Sequence, residues 1–322
     1  MTQIDLVTGL LGAGKTTFLL RYAHACLDRG ERIAILENDF GAVNVDVALL
    51  RGLKSDRCQI EMVSGGGDSD CHRRRFKTQL IALGMQHLDR VIVEPSGSFD
   101  MDEFFDTLYT SPLDRWFTIG SILTILDATQ EDDLSPQMAY LFASEAACSG
   151  KLILSKVGTD PDGDRDRVLT RLNAALADIA CDRQFTERDV LAKPWDSLTA
   201  ADLDALAHAS YRGARYVKRY SIDALRAGVH YFMHIAIPEA QIVPLVTDML
   251  HDPAYGRVYR IKGCLPAADG GRLKLNAVGE TVALDPIPEG QAVLIVIGDD
   301  LDFPRLDAAF RQVNTDPEYV SI

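Results

Sequence analysis

The residues with the clearest chemical purpose form a glycine-rich loop near the start of the chain. Gly9-Leu10-Leu11-Gly12-Ala13-Gly14-Lys15-Thr16 fits the pattern GxxxxGK[ST] and lies between a short apolar run and a helical pattern. Glycines let successive backbone amides face inward, where they attract phosphate oxygens together with the amino-terminal end of the helix. Lys15 is expected to reach the β and γ phosphates of a nucleotide, and the Thr16 hydroxyl is expected to bind Mg²⁺. The loop therefore predicts a nucleoside triphosphate site that includes Gly9, Gly12, Ala13 and Gly14.

A site of this kind also needs a carboxylate on a nearby strand to hold the metal ion or its water. Glu94 follows the apolar run 90–93 and is the candidate, the alternative being a surface carboxylate at a strand end. Gly97 follows it and is predicted to move with the γ phosphate. Glu37 and Asp39 form a second polar loop after another strand-like run. Because ligands bind at the carboxyl ends of parallel strands, we expect both loops to converge on the phosphates as catalytic or switch elements.

The elements that must position these residues alternate along the first half of the chain. Strand-like runs occupy residues 4–8, 32–36, 59–63, 90–93, 122–126 and 151–154, and helical patterns occupy 16–29 and 73–87. Strands separated by helices of this length require right-handed crossovers and predict a mostly parallel sheet covered on both faces. The last part of the chain is richer in strand-like runs, which predicts one sheet with helices on one face. We therefore assign an α/β fold, with a P-loop NTPase domain over 1–195, a connector over 196–225 and a smaller α+β domain over 226–322.

The composition narrows the classes of partner. The chain has 322 residues and a formal net charge of −14. Such an acidic chain lacks the excess of positive charge that is typical of general nucleic-acid binders, and it is not attracted to anionic lipid. The first residues lack the pattern of a secretory signal, and the six cysteines are scattered without a CxxC pair, as in cytosolic proteins. We therefore expect a cytoplasmic protein that binds neither nucleic acid nor a membrane, with oligomerisation left open.

Several segments together resemble the CobW-like group of P-loop GTPases, relatives of the urease and hydrogenase nickel-insertion GTPases. In chain order, the matching segments are GLLGAGKTTFL, ENDFGAVNVDVALL, VIVEPSG, ILTILDATQ, GRVYRIKGCLP and VLIVIGDDLD. The resemblance implies a GTP-hydrolysing domain and a smaller second domain, acting as a metallochaperone or activator for a client metalloprotein or metallocofactor enzyme. It also implies GTP and Mg²⁺ as ligands, with Gly9 through Thr17 on the phosphates. Asp46 would then belong to a switch near the magnesium, and Glu94 would be the metal-side carboxylate.

The group usually carries a glycine and a CxCC element after the third strand, and this chain departs from that pattern. If Gly67 is the glycine of the group, Asp68, Asp70 and Cys71 take the three cysteine positions, and only Cys71 keeps a thiol. Thiolates select zinc and copper, whereas carboxylates suit harder ions. Asp68, Asp70, Cys71 and His72 are therefore the candidate site for Zn²⁺ or another transition metal, the alternative being a solvated loop without metal.

A second departure concerns the nucleotide base. The resemblance implies an Asn-Lys-x-Asp element whose carboxylate accepts hydrogen bonds from guanine, but this chain has Ser155-Lys156-Val157-Gly158 at that place. Ser155 and Lys156 are still expected to contact the nucleotide, while Gly158 supplies no carboxylate and Asp160 lies two residues further along. GTP is the nucleotide that the resemblance implies. Two alternatives stay open, an ATP-dependent small-molecule kinase and a nucleotide-binding scaffold without metal delivery.

Overall fold

The computed structural model describes residues 1–38, 50–63, 69–95, 101–130, 134–220, 228–288 and 290–322. The described residues up to 220 form one compact unit, and those from 228 onward form a second. Within these described ranges, no helix has the length and apolar character that crossing a membrane requires.

The first unit is built on a seven-stranded sheet. Its strands are β1 (Thr2–Thr8), β2 (Ile33–Asn38), β3 (Cys58–Val63), β4 (Arg90–Pro95), β5 (Phe117–Asp127), β6 (Lys151–Ser155) and β7 (Val190–Leu191). They lie in the order β3-β2-β4-β1-β5-β6-β7, and every neighbouring pair is parallel. The mostly parallel sheet that the sequence predicts is therefore confirmed, and its carboxyl ends point to one edge.

Helices connect these strands and cover both faces of the sheet. They are α1 (Lys15–Asp28), α2 (Ser69–Gly84), α3 (Met101–Leu108), α4 (Leu113–Trp116), α5 (Pro136–Ala147), α6 (Pro161–Asp178) and α7 (Ala200–Ala207). One face packs Leu6 and Val93 against α2, α3 and α4, and the other packs Val7 and Ile35 against α1 and α7. Because both faces are buried, successive strand residues are apolar, and the sequence reads as continuous apolar runs.

A buried charge cluster joins β1 to β4. Asp5 and Arg90 form an ion pair, and the two residues are only 0% and 3% exposed. The Asp5 carboxylate also accepts hydrogen bonds from the Tyr22 hydroxyl at 2.6 Å and the Ser121 amide at 2.7 Å. The Arg90 Nε atom donates to Glu31 at 2.8 Å. Removal of either charged partner would leave the other as an unpaired buried charge, which strongly destabilises the folded state.

The second unit holds an antiparallel sheet with two helices. Its strands are β8 (Val229–Met233), β9 (Arg257–Pro266), β10 (Arg272–Val278), β11 (Thr281–Ile287), β12 (Val293–Asp299) and β13 (Val320–Ser321), and its helices are α8 (Glu239–His251) and α9 (Phe303–Val313). The strand order is β11-β10-β9-β12-β8-β13. Phe232, Ile261 and Leu294 on one face pack with Val246 of α8 and Phe310 of α9. The predicted α+β arrangement, one sheet with helices on one face, is confirmed.

The predicted connector over 196–225 is folded where the structure describes it. Helix α7 places Leu206 and Ala207 in the core of the first unit, and Tyr211 pairs with Ser149 in an isolated β-bridge. The first unit thus continues to residue 220, past the expected boundary at 195, because the apolar side of α7 needs a core to pack against.

Candidate nucleotide site

The glycine-rich loop lies between β1 and α1, as the sequence indicates. Gly9 has a φ angle of 135° and Gly14 one of 96°, a region that favours glycine. A Cβ atom on Gly9 would lie 2.2 Å from the carbonyl oxygen of Ile125 on β5, so this position must lack a side chain. Gly12 and Ala13 form the turn between them, and the Ala13 amide donates to the carbonyl of Leu10 at 3.1 Å.

Lys15 begins α1 and is held over the loop. Its Nζ atom donates to the carbonyl oxygen of Gly9 at 2.7 Å and to that of Leu10 at 3.3 Å. The residue is only 6% exposed, so its charge is concentrated at the loop. An ammonium group has three N–H donors, and the part of the chain that the structure describes uses two of them. These two hydrogen bonds hold the ammonium group at the phosphate loop.

Thr16 and Glu94 meet at the carboxyl edge of the sheet. The Thr16 Oγ1 atom donates to Glu94 Oε1 at 2.8 Å, and the two residues are 8% and 7% exposed. Thr17 is exposed beside Thr16 in the first turn of α1. The contact brings a hydroxyl and a carboxylate together from residues 78 positions apart in sequence. The alternative of a surface carboxylate does not fit Glu94, because the residue is buried.

Glu37 adds a second carboxylate at the same edge. It lies on β2, where its register partner on β4 is Glu94, and it is 3% exposed. Paired residues of neighbouring strands project to the same face of a sheet, so the two carboxylates lie side by side. Oxygen ligands of this kind suit Mg²⁺, and two buried carboxylates next to each other are stabilised by a cation.

The segment after β6 is anchored to the end of β5. Ser155 is buried, and its hydroxyl donates to the carbonyl of Leu126 at 3.3 Å. Lys156 has a φ angle of 51° and forms an ion pair with Asp127, whose carboxylate also accepts from the Thr129 amide at 2.8 Å. Because β6 runs parallel to β5 and β1 and ends at Ser155, Ser155 and Lys156 lie at the same edge of the sheet as the phosphate loop.

Gly158, Asp160 and Asp164 form hydrogen bonds at the start of α6. The Gly158 amide donates to Asp164 Oδ2 at 2.7 Å, and this hydrogen bond is the main cause that lowers the pKa of Asp164. Asp160 caps α6 by accepting from the Gly163 amide at 3.1 Å. Both carboxylates thus already stabilise the turn into α6, and neither continues the loop as the Asp of an Asn-Lys-x-Asp element does.

The candidate transition-metal residues lie at the start of α2. Cys71 is half-buried and reduced, and His72 is 3% exposed. Asp68 and the side chain of Asp70 lie outside the described residues, as do the predicted switch residues Asp39, Asp46 and Gly97. Over the ranges that are described, no three His, Cys, Asp or Glu side chains are placed together to hold a metal ion.

The cysteines in the core are poor metal ligands. Burial raises the pKa of Cys26 to about 12 and that of Cys58 to about 11. A metal ligand must be a thiolate, and a thiol with such a pKa stays protonated near neutral pH. Cys26 and Cys58 are also buried, whereas Cys71 is only half-buried and is therefore the most accessible of the three.

One residue at the edge of the site was missed by the sequence reasoning. Trp195 packs against Gly14, and its Nε1 atom donates to the carbonyl of Leu154 at 3.1 Å. Only the residue type could have pointed to Trp195 in the sequence, because tryptophan is rare and its indole N–H needs a hydrogen-bond acceptor when it is buried. Nothing local to residues 190–200 predicts a contact with the phosphate loop.

A parallel sheet with a glycine-rich loop between its first strand and first helix, and carboxylates at the same edge, defines a P-loop nucleotide-binding protein. The model of the CobW/HypB/UreG nucleotide-binding domain family matches residues 3–187, more than half of the chain. The chain therefore belongs to the CobW/HypB/UreG family, which confirms the resemblance drawn from its motifs.

Three curated relatives are similar to this chain. Zinc chaperone YjiA of Escherichia coli is 28% identical over 182 residues, 53% of this chain and 54% of the relative. Zinc chaperone YeiR of Escherichia coli is 33% identical over 168 residues, 51% of this chain and 50% of the relative. Zinc chaperone CobW of Pseudomonas aeruginosa is 23% identical over 339 residues, 93% of this chain and 88% of the relative. The chain thus spans about half the length of the first two relatives and most of the third.

The crystal structure of Zn(II)-bound YjiA GTPase from E. coli covers 98% of this chain and 99% of its own, with 18% identity and a TM-score of 0.36.

Proposed function

We propose that the protein is a GTP-hydrolysing metallochaperone that delivers zinc to a client metalloprotein. The observation that carries the proposal is the buried contact between Thr16 and Glu94 beside a phosphate loop, in a chain of the CobW/HypB/UreG family. Three relatives named as zinc chaperones support the choice of zinc as the cargo.

The phosphate loop supplies the binding energy for the nucleotide. Its amides and the amino-terminal end of α1 bind phosphate oxygens, and Lys15 adds a positive charge beside the γ phosphate. Gly9 and Gly14 allow the backbone to approach the phosphates closely. Thr17, Ser155 and Lys156 extend the site towards the rest of the nucleotide.

The donor set at the carboxyl edge fits Mg²⁺, because a hydroxyl and two buried carboxylates offer the oxygen ligands that this ion prefers. Thr16 and Glu94 would hold the ion or its water, with Glu37 as a further carboxylate on the neighbouring strand. The family resemblance adds Asp46, which lies outside the described residues. When bound, Mg²⁺ neutralises charge that develops on the phosphates during hydrolysis. Thr16 and Glu94 are already joined at 2.8 Å, so these two side chains need little rearrangement to act together.

Coupling of hydrolysis to zinc delivery is proposed to run through the loops that follow β2, β3 and β4. Segments 37–46 and 68–77 and Gly97 follow these strands, and the proposal is that exchange of GTP for GDP changes their contacts with the nucleotide. The candidate zinc residues Asp68, Asp70, Cys71 and His72 lie in one of these segments, so the zinc affinity changes with the nucleotide. A client protein then receives the metal from the weaker-binding state.

The first experiment tests the nucleotide. Purified protein is titrated calorimetrically with GTP and with ATP, each with Mg²⁺, and the two dissociation constants are compared. The proposal expects tighter binding of GTP. ATP preference with little GTP binding would instead support the small-molecule kinase.

The second experiment tests the cargo. Zn²⁺ is titrated into the GTP-loaded and GDP-loaded protein and into the Cys71→Ala variant, with Cys26→Ala as a matched control for the loss of a thiol. We expect Cys71→Ala to weaken zinc binding, because it removes the thiolate ligand, and Cys26→Ala to leave it unchanged. Equal, weak binding by all forms would favour a nucleotide-binding scaffold without metal delivery.

A further inference from the structure

Trp195 joins two parts of the nucleotide site that are far apart in sequence. The far edge of its indole ring packs against the phosphate loop, where a Cβ atom on Gly14 would lie 2.7 Å from ring atom Cη2. The indole Nε1 atom donates to the carbonyl oxygen of Leu154 at 3.1 Å. Leu154 precedes Ser155, so one side chain contacts both the phosphate loop and the strand that leads into the Ser155–Gly158 segment.

The ring is fixed from several sides. Its centroid lies 6.0 Å from that of Phe18, with the two rings in an edge-to-face arrangement. Trp195 starts a short 3₁₀ helix, and the next residue, Asp196, forms an ion pair with Arg21 of α1. These contacts hold the indole against the first turns of α1, the helix whose amino-terminal end faces the phosphates.

The contact falls at a sensitive point of the loop. Gly14 is the amino-terminal cap of α1, with a φ angle of 96°, and its carbonyl accepts from the Phe18 amide at 3.0 Å. The backbone on either side of Gly14 supplies amides that bind phosphate in loops of this kind. A side chain that packs on Gly14 therefore sets the path of the backbone directly before Lys15.

We propose that Trp195 is a positioning residue of the nucleotide site, whose indole keeps the phosphate loop in register with the Ser155–Gly158 segment. This inference rests on the proposed binding of GTP at the phosphate loop. A nucleotide that binds both parts of the site changes the surroundings of the half-buried ring. The tryptophan fluorescence of the protein then reports nucleotide binding through this residue.

The sequence offers a matched control, because it contains two tryptophans. Trp116 belongs to the core on the opposite face of the sheet, where it packs against Gly84. Trp116→Phe leaves Trp195 as the single reporter, and Trp195→Phe leaves Trp116. Both variants are titrated with GDP and with GTP and Mg²⁺ while fluorescence is recorded, and binding is measured separately by calorimetry. We expect the emission of Trp116→Phe to change along the calorimetric binding curve and that of Trp195→Phe to stay constant.

The second measurement is the affinity of the variants for GTP. Trp195→Phe loses the hydrogen bond to Leu154 and should bind GTP about 5-fold more weakly, since a neutral hydrogen bond contributes about that factor. Trp195→Leu also loses the aromatic contact with Phe18 and should bind about 30-fold more weakly. Trp116→Leu controls for lost core packing, and we expect it to lower the melting temperature without changing the affinity.

Two results overturn the inference. One is nucleotide binding without a change in Trp195 emission and with full affinity in Trp195→Leu. The other is a loss of affinity in Trp116→Leu equal to that in Trp195→Leu, because it shows a general packing effect. Absence of GTP binding by the wild-type chain refutes the proposed function instead, so the two failures are distinguishable.

Discussion

Replacement of Gly9 by alanine should disrupt the phosphate loop more than any change of similar size on the surface. The residue has a φ angle of 135°, and a Cβ atom would lie 2.2 Å from the carbonyl oxygen of Ile125 and 3.1 Å from its carbonyl carbon. Close contacts between carbon and oxygen begin at about 3.3 Å, so the loop or β5 must shift by about 1 Å.

The expected loss follows from two separate effects. A residue held in a region of φ that alanine rarely adopts costs about 2 kcal/mol, and an overpacked contact with backbone atoms costs about 2 kcal/mol more. Gly9→Ala should therefore lower the free energy of unfolding of the first unit by about 4 kcal/mol. The same shift moves the amides that face the phosphates, so GTP affinity should fall as well.

Gly30 provides the matched control for this prediction. It also has a positive φ angle, 87°, but among the described residues other than its own chain neighbours no atom lies within 4 Å of the position of its Cβ. Gly30→Ala has the conformational cost of a positive φ angle without the steric clash, and its free energy of unfolding should fall by about 1.5 kcal/mol. Urea unfolding followed by circular dichroism measures both variants, and calorimetry measures their affinity for GTP. Equal losses of stability in the two variants, or full GTP affinity in Gly9→Ala, would refute the reasoning.

Three further changes test other parts of the structure. Glu94→Gln keeps a hydrogen-bond acceptor but removes the negative charge. The variant should fold, but its Mg²⁺-dependent release of phosphate from GTP should fall about 100-fold. Normal Mg²⁺ dependence of this variant would contradict the prediction. Arg90→Met leaves the Asp5 carboxylate buried without its ion pair and should lower the free energy of unfolding in urea by about 4 kcal/mol. Addition of Asp5→Asn should restore part of this loss. A loss below about 1 kcal/mol in Arg90→Met would count against the prediction. Lys193 is the main cause that lowers the pKa of Asp202 from 3.8 to about 2. Because the pKa of Asp202 is lower in the folded state, Asp202→Asn should lower the free energy of unfolding by about 1 kcal/mol at pH 7. This difference should disappear as the pH falls from about 4 to 2. Unfolding curves of both proteins, recorded over this pH range, measure it.

The features that sequence predicts well in this chain are local ones. The phosphate loop is recognisable because its glycines, Lys15 and Thr16 act through their own backbone and side chains within one turn. The strands of the first unit are recognisable because burial on both faces demands an unbroken apolar run, as in residues 90–93. The position of Glu94 beside Thr16 follows from the topology of a parallel sheet, which collects the carboxyl ends of its strands at one edge.

The features that sequence did not predict depend on contacts between distant residues. The approach of Trp195 to Gly14 depends on how the chain returns to α1 after β7. The roles of Asp164 and Asp160 at the start of α6 depend on which amide each carboxylate meets, and the sequence places both at plausible distances from Gly158. Helix α7 falls within the predicted connector over 196–225, although its buried residues Leu206 and Ala207 join the core.

The central claim is that this chain hydrolyses GTP at its phosphate loop. The most direct measurement is the rate of phosphate release from GTP and from ATP, with and without Mg²⁺, by the wild-type chain and by Lys15→Ala. We expect Mg²⁺-dependent release from GTP that is faster than release from ATP and that is lost in Lys15→Ala. Equal release by wild type and Lys15→Ala, or a preference for ATP, would contradict it.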